Sequence, residues 1–533
     1  MVFVKRLPMA EPPIVRANLD IILRIINYLD VTSFFAFTSC NNFFHGFSKD
    51  LSSLRLVARN LVRLGVPLII EGSKRDVDLS AEEVRAAILL SDKCQRIWRS
   101  EITTPDSIRK FDPLPGDVVS CQALTSDLAI VHINVAGTDG LQLGVFRITD
   151  CRYFPVPVLG LPYYRDHRQH ASGGYFSREE MAYYLSYTAD ELDKESIMVA
   201  KIHLDTLIRR TGSEVDVPSS GGPGGVVEVV SSYEMGVSRQ KFCHESVYIL
   251  DEGQKMICVI RRAKSRCLQL FFVPNWTDQA LIAVDTQLEY SLNYHNVCCF
   301  WDAQKQSVVL QRFDRRKIGE VAHFVFPKSY LLNVAPMTQS SSLSMLPPSH
   351  SYVKTSCVAS LSGPMPPSTR YSESMTPRHF HKFMGTEAPR FAIRVLNLAL
   401  TDDTGNYTRY SGIETFASDT EGPSILQLAH GIYSSMPLPR LIEYAYDDSD
   451  YNALAWVRQE LPGNWIKVVR HMPPGFPDDT ISKVAVCTVD VRQEEVNLKD
   501  VQFLAVDSTH GRIFVGTGTY RSGEQKFFVL SFV

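Results

Sequence analysis

From Asp117 to the C-terminus the chain is written in short runs of Val, Ile, Phe and Tyr, cut by Gly, Asp, Ser and Pro. Runs of about four to eight such residues between turn formers read as β-strands. Leu128–Val135, Leu141–Ile148, Ile197–Leu204, Val226–Val230, Phe391–Leu398 and Val484–Val491 are examples. No long helical pattern lies among them. Parallel sheets need crossover helices between successive strands, so the pattern predicts an antiparallel, mainly β body.

A weak internal repeat narrows the choice. Tyr248-Ile249-Leu250-Asp251 is followed by a turn and then Ile257-Cys258-Val259. Phe300-Trp301-Asp302 precedes Ser307-Val308-Val309, Tyr446-Asp447-Asp448 precedes Leu454-Ala455-Trp456, and Leu504-Ala505-Val506-Asp507 precedes Ile513-Phe514-Val515. Aspartate suits the strand end because its carboxylate accepts hydrogen bonds from backbone donors in the turn. Asp251 and Asp302 are 51 residues apart, Asp448 and Asp507 are 59 apart, and the gap of 146 between Asp302 and Asp448 is close to three such units. Repeats of roughly 40–50 residues with four strands each are the signature of propeller blades. Residues 117–533 would then hold about six to eight blades. A sandwich or split β architecture is the alternative. Thr211–Gly225, with Ser219-Ser220-Gly221-Gly222-Pro223-Gly224-Gly225, and residues 335–376, rich in Ser, Pro and Met, read as mobile insertions.

The first hundred residues follow a different period. Ile21, Ile22, Ile25, Ile26 and Leu29 recur at helical spacing, as do Phe34, Phe37, Cys40, Phe44 and Phe47, and then Leu51, Leu54, Ala58 and Leu61. Thr32 or Ser33 is placed to cap the second helix. Gly65 and Pro67 end the third. Ser80 and Glu83 have capping-box spacing, and Val84, Ala87, Ile88, Cys94 and Trp98 follow on one face. The reading is three short helices over 1–65, a helical linker over 66–116 and a β body over 117–533. Six phenylalanines between Phe34 and Phe47 exceed what three short helices can bury alone. They are covered either by another polypeptide or by the chain's own body.

Ile25-Ile26-Asn27-Tyr28-Leu29-Asp30, with Phe34, Phe37, Cys40 and Phe43, resembles an F-box over Ala17–Phe47. Ala17-Asn18 stands where that family usually has Leu-Pro, Asp20 where Glu is usual, and Ser39 where Val is usual. The layout, with a tryptophan-bearing helix and a long irregular body, is similar to F-box proteins of mushroom-forming fungi. The resemblance implies a non-enzymatic substrate receptor of a Skp-adaptor, cullin-type ubiquitin ligase. It implies adaptor contact through Ile22, Ile25, Leu29, Phe34, Cys40 and Phe43, and an unidentified protein target on the β body. The alternative is a propeller scaffold whose F-box-like helices serve only as a cap.

Composition excludes several other classes. A hydrophobic share of 45% supports a real core, and a net charge of −3 lacks the basic footprint of a nucleic-acid binder. No run approaches the roughly 18 apolar residues of a membrane span. The N-terminus, with Lys5 and Arg6 in its apolar stretch, does not read as a secretory signal. Eleven cysteines, an odd number without CxxC spacing, suit a cytoplasmic or nuclear chain with free thiols, and no cofactor motif appears. Asn275-Trp276-Thr277 and Asn406-Tyr407-Thr408 match the glycosylation pattern by chance on that reading. His167 and His170, and His379 with His381, lack a third ligand and read as polar surface. Adjacent Cys298 and Cys299 should point to opposite strand faces. The run Arg261, Arg262, Lys264 and Arg266 reads as a solvated turn, or as a patch for an acidic segment.

Overall fold

The computed structural model describes residues 19–533 with breaks, the longer ones at 157–169, 211–225, 356–369, 418–425, 430–452 and 472–483. Five α-helices open it: α1 (Leu19–Ile26), α2 (Val31–Ser39), α3 (Asn42–His45), α4 (Leu51–Arg63) and α5 (Ala81–Arg99). The second expected helix is thus two. Asn41 interrupts it, accepting a hydrogen bond from the Phe44 amide at 2.9 Å and capping α3. The cap of α2 is Asp30, whose Oδ1 accepts from Ser33 N at 2.6 Å, so Ser33 donates where capping by Thr32 or Ser33 was expected. At α5 the capping box is present: Ser80 Oγ accepts from Glu83 N at 3.2 Å and Glu83 Oε2 from Ser80 N at 2.8 Å.

Helical character stops at Arg99, well before 116. Pro105, Pro113 and Pro115 deny the backbone donors a helix needs. Two short strands occupy that stretch instead, β1 (Ile102–Thr103) and β2 (Ser107–Lys110). A run of small antiparallel sheets follows, and the chain is mainly β. Seven sheets have four or more strands among the described residues. The first is built from Gly116–Ala123, Leu128–Val135, Leu141–Arg147 and Arg152–Pro155, hydrogen-bonded in chain order. The second, starting at Gly173, the third at His244, the fourth at His295 and the fifth at Arg370 repeat this four-strand order. The third adds His170–Ala171 along its first strand and Ser344–Met345 along its fourth, both parallel.

Sheets six and seven differ. Sheet six has Ala453–Arg458, Trp465–His471 and Val484–Asp490, and its fourth strand is β1, parallel, with Ile102 opposite Thr488. Sheet seven has Val501–Asp507, Arg512–Thr517 and Lys526–Ser531, and its fourth strand is β2, antiparallel, with Ser107 opposite Ser531.

The alternation of strand side chains gives sheets one, two, three and seven two apolar faces each. In sheet one, Ile130 and Val145 pack with Leu185 and Ile202 of sheet two, whereas Val131, Ile133 and Phe146 pack with Phe503, Phe514 and Val529 of sheet seven. Sheets two and three share Val199, Ile257 and Phe271, and sheets three and four share Cys258, Leu270, Leu310 and Phe326. The last sheet therefore packs on the first.

The aspartate repeat has the physical basis expected of it. Asp251, Asp302 and Asp507 each end the first strand of a sheet, and each Oδ1 accepts the backbone N–H three residues on, at 2.9, 3.0 and 3.0 Å. Four residues after each Asp the chain takes a left-handed conformation: Lys255 (φ 55), Gln306 (φ 47) and Gly511 (φ 64). Met181 (φ 45) does the same in sheet two. The carbonyl of each left-handed residue then accepts an N–H from just past the third strand: Leu204, Trp276, Lys328 and Phe532, at 2.8–3.0 Å. One turn design thus recurs in four sheets. Asp448 lies outside the described residues.

Residues 335–376 were expected to be insertion, and part of that span is sheet. His350–Thr355 is the fourth strand of sheet four, pairing Val353 with Ala322, and Arg370–Thr376 begins sheet five. Outer strands have one free edge and need few apolar side chains, so a Ser- and Pro-rich sequence hides them. Thr211–Gly225 lies outside the described residues.

Candidate partner interface on the N-terminal helices

The helices make a core of their own. Ile22, Ile26, Phe34, Phe44, Leu54, Val57, Leu61, Val62, Val84 and Ile88 are all buried together. The turn after α1 is tied to α4 by Asn60 Nδ2, which donates to the Asn27 carbonyl at 2.6 Å. Phenylalanine crowding is resolved partly by ring contact. Phe37 and Phe44 sit 4.4 Å apart, Phe43 lies 5.4 Å from Phe44 and 5.8 Å from Phe47, and Arg85 lies over Phe35 at 5.6 Å.

The six residues expected to meet an adaptor divide sharply. Ile22 and Phe34 are fully buried in the chain's own core, so neither reaches a partner, and both assignments are corrected. Their stripe is the one that closes the helices on each other. Ile25 and Leu29 are half-buried, with Leu29 packed against that core. Cys40 is exposed at the end of α2. Phe43 is 48% exposed. Three apolar residues not assigned to the interface are exposed as well: Leu19 (55%), Ile21 (53%) and Tyr28 (87%). The signal for them was available. Ile22, Ile26 and Leu29 form one stripe, and Ile21, Ile25 and Tyr28 form a second at the same spacing, offset by one residue. Two stripes on one short helix mean one left over after the other is buried. Asn18 lies outside the described residues.

The helices also meet the β body. The inward stripe of α5 serves two cores: Val84, Ala87 and Ile88 join the helical core, while Trp98 is fully buried among Val489, Leu504, Val515 and Leu530 of sheets six and seven. The Trp98 ring lies 5.3 Å from Phe532. The backbone of Thr488 donates to the Glu101 carbonyl at 2.8 Å. A Cβ on Gly511 would lie 3.1 Å from Cys94 Sγ and 2.7 Å from Val533 Cγ2. Further along, Asp76 Oδ2 accepts from Met384 N at 3.0 Å, and Met384 packs on the helical core. Gly511 and Arg178, which lies 3.9 Å from Asp76, both belong to turns between the first and second strands of their sheets. The helices therefore dock on the sheet ends that carry those turns.

Buried polar groups also lie in the β body. Ser120 Oγ and His132 Nδ1 are 2.6 Å apart across the first two strands of sheet one. Burial alone pulls the His132 imidazole down to about 4. Asp507 and His510 form a buried pair at 2.9 Å in the turn of sheet seven, and Arg512 donates to the Ser126 carbonyl. Burial works to raise Asp507, but the charges of His510 and Arg512 outweigh it and hold the carboxyl below its ordinary value. The Asp507 and His510 bonds shape the turn of sheet seven, and the Ser120–His132 contact joins residues opposite each other on paired strands. Among the described residues no group of three or more His, Cys, Asp or Glu could hold a metal ion. No helix among them is long and apolar enough to cross a membrane. His167, His379 and His381 lie outside the described residues. Cys299 is buried. Arg261 is buried in a strand with its guanidinium 4.8 Å over Phe271, so it is no part of a solvated turn. Lys264 and Arg266 lie outside the described residues.

No family model matches the chain, and no curated protein matches it. Solved structures match weakly. A prolyl endopeptidase is 8% identical with a TM-score of 0.27, covering 66% of this chain and 38% of its own. This chain thus spans well under half the length of that protein. A duf4221 family member from Bacteroides vulgatus is 10% identical with a TM-score of 0.31, covering 81% and 97%. The β-propeller domain of the Trilobed protease from Pyrococcus furiosus is 8% identical with a TM-score of 0.29, covering 66% and 80%. Likenesses of this degree carry no argument about activity.

Proposed function

We propose that the chain is a non-catalytic substrate receptor of a Skp-adaptor, cullin-type ubiquitin ligase. On this reading the seven sheets are the blades of one propeller, the helices bind the adaptor, and the propeller holds a protein target. The observation that carries the reading is the apolar surface left on α1–α3 after their core has formed: Leu19, Ile21, Tyr28 and Phe43, with Ile25, Leu29 and Cys40 beside them. Large apolar side chains in such number are costly to leave in water and suit a partner helix or groove. The helical docking on one set of sheet ends leaves the opposite ends for a target. A target held there would be recognised without chemistry supplied by this chain.

The test is capture of a purified Skp-type adaptor by the full chain. Ile21→Glu and Phe43→Asp place a charge in an apolar contact without touching the helical core, and each should reduce capture at least tenfold. Leu29→Asp is a poorer probe, because Leu29 also packs inward. Wild-type protein that fails to hold the adaptor, or both variants binding undiminished, removes the reading.

A second reading is favoured by a different observation. Trp98 is sealed against sheets six and seven, and Asp76 is bonded to Met384. These contacts suit a propeller scaffold on which the helices are only a cap. That reading expects no adaptor capture and no change in any binding on substitution of Tyr28 or Phe43.

A further inference from the structure

The segment between α5 and the first sheet joins parts of the molecule nearly the whole chain apart. β1 completes sheet six and β2 completes sheet seven, although both sheets are otherwise made after Ala453. Pro105 lies between them and cannot donate to a ladder, and it biases Thr104 toward extended backbone. The chain is thereby stepped from one sheet edge to the next. Arg109 reaches on to sheet one, donating to the Thr149 carbonyl at 3.2 Å, and Phe111 N donates to the Phe527 carbonyl at 2.9 Å. Immediately before β1, Ser100 Oγ and the Ile97 carbonyl lie against Cys487 Sγ at 4.0 and 3.7 Å. Trp98 fills the junction of the two sheets.

We infer that Trp98–Lys110 is a strap that closes the last two sheets and links their closure to the helices. The coupling has a direct cause. Without the strap, the backbone groups along one edge of Val484–Asp490 and of Lys526–Ser531 lose their partners, and the largest side chain at their junction is removed. Because α5 carries both the strap's anchor and part of the helical core, order in the helices and order in sheets six and seven are favoured together. By linkage, a partner bound to α1–α3 tightens the distant sheet edges, and loosening of those edges weakens the partner's site. The strap itself does not depend on the identity of that partner, so its test uses the protein alone.

The measurement is amide hydrogen exchange on the full chain, comparing wild type with Trp98→Ala. The strap predicts that α5, Val484–Asp490 and Lys526–Ser531 lose protection together, by tenfold or more, while Met256–Arg262 and Cys267–Val273 of sheet three keep theirs. Loss confined to α5 overturns it, because the sheets would then be closed without the strap. Equal loss in sheet three also overturns it, because the molecule would be one undivided unit. If Trp98→Ala does not yield folded protein, Trp98→Phe is measured and read by the same two comparisons.

Discussion

Sheets three and seven use the same turn and reach opposite outcomes. In sheet three all four core strands come from one stretch, His244–Glu289, and the turn carries Asp251 and Lys255. Asp251 there bonds one backbone amide. In sheet seven only three strands are contiguous, the fourth is β2, and the turn is packed beneath Cys94 and Val533. Asp507 bonds the backbone and the ring of His510 and faces Arg512. A local sheet can use a turn as a hairpin alone. A sheet completed from a distance must also use it as a socket, so the same residues carry more of the fold's stability.

The comparison can be broken by substitution. Asp507→Ala strips a buried carboxylate from Arg512 and from its bonds to the His510 backbone and ring, and should cost about 3–5 kcal/mol in a denaturant titration, against about 1 kcal/mol for Asp251→Ala, which loses one hydrogen bond. Equal losses would show that the socket adds nothing. Next, Gly511→Val forces a β-branched residue into a left-handed conformation and drives its side chain toward Cys94 and Val533. A loss of about 3 kcal/mol is expected in the same assay.

Acid sharpens the contrast between sheets. His132 in sheet one has its folded value below the ordinary 6.5, so folding favours the neutral ring. The stability this gives is present above about 6.5 and is lost as pH falls toward 4. His132→Gln should flatten that decline. Asp507 has its folded value below the ordinary 3.8, so its contribution is intact there and fades only as pH falls further. Thermal melts of the two variants across pH 7 to 3 separate them. The smallest effect is expected at the counterpart of Gly511: Lys255→Gly relieves a left-handed residue and should stabilise by roughly 0.5–1 kcal/mol.

Much of sheet three could be read from its residues. Period-two runs gave its strands, and Asp251 gave its turn. The borrowed strands could not. β1 is two residues long, β2 reads Ser-Ile-Arg-Lys, and both lie among prolines, so neither has the apolar alternation that marks a strand. Pairing across the whole chain leaves no local trace. The interface was half legible. Helical spacing located the apolar residues of α1, but spacing alone does not say which of two stripes faces inward, and Ile22 was placed outside when it belongs inside. Tyr28, the most exposed of them, stands just past the helix end but keeps the spacing of the outer stripe.

The borrowed fourth strands have a consequence for biosynthesis. Between β2 and its hydrogen-bonding partner Lys526–Ser531 the ribosome adds more than four hundred residues, from Lys110 to Lys526. Until then β1 and β2 wait unpaired, so neither sheet can close before its own late strands are made.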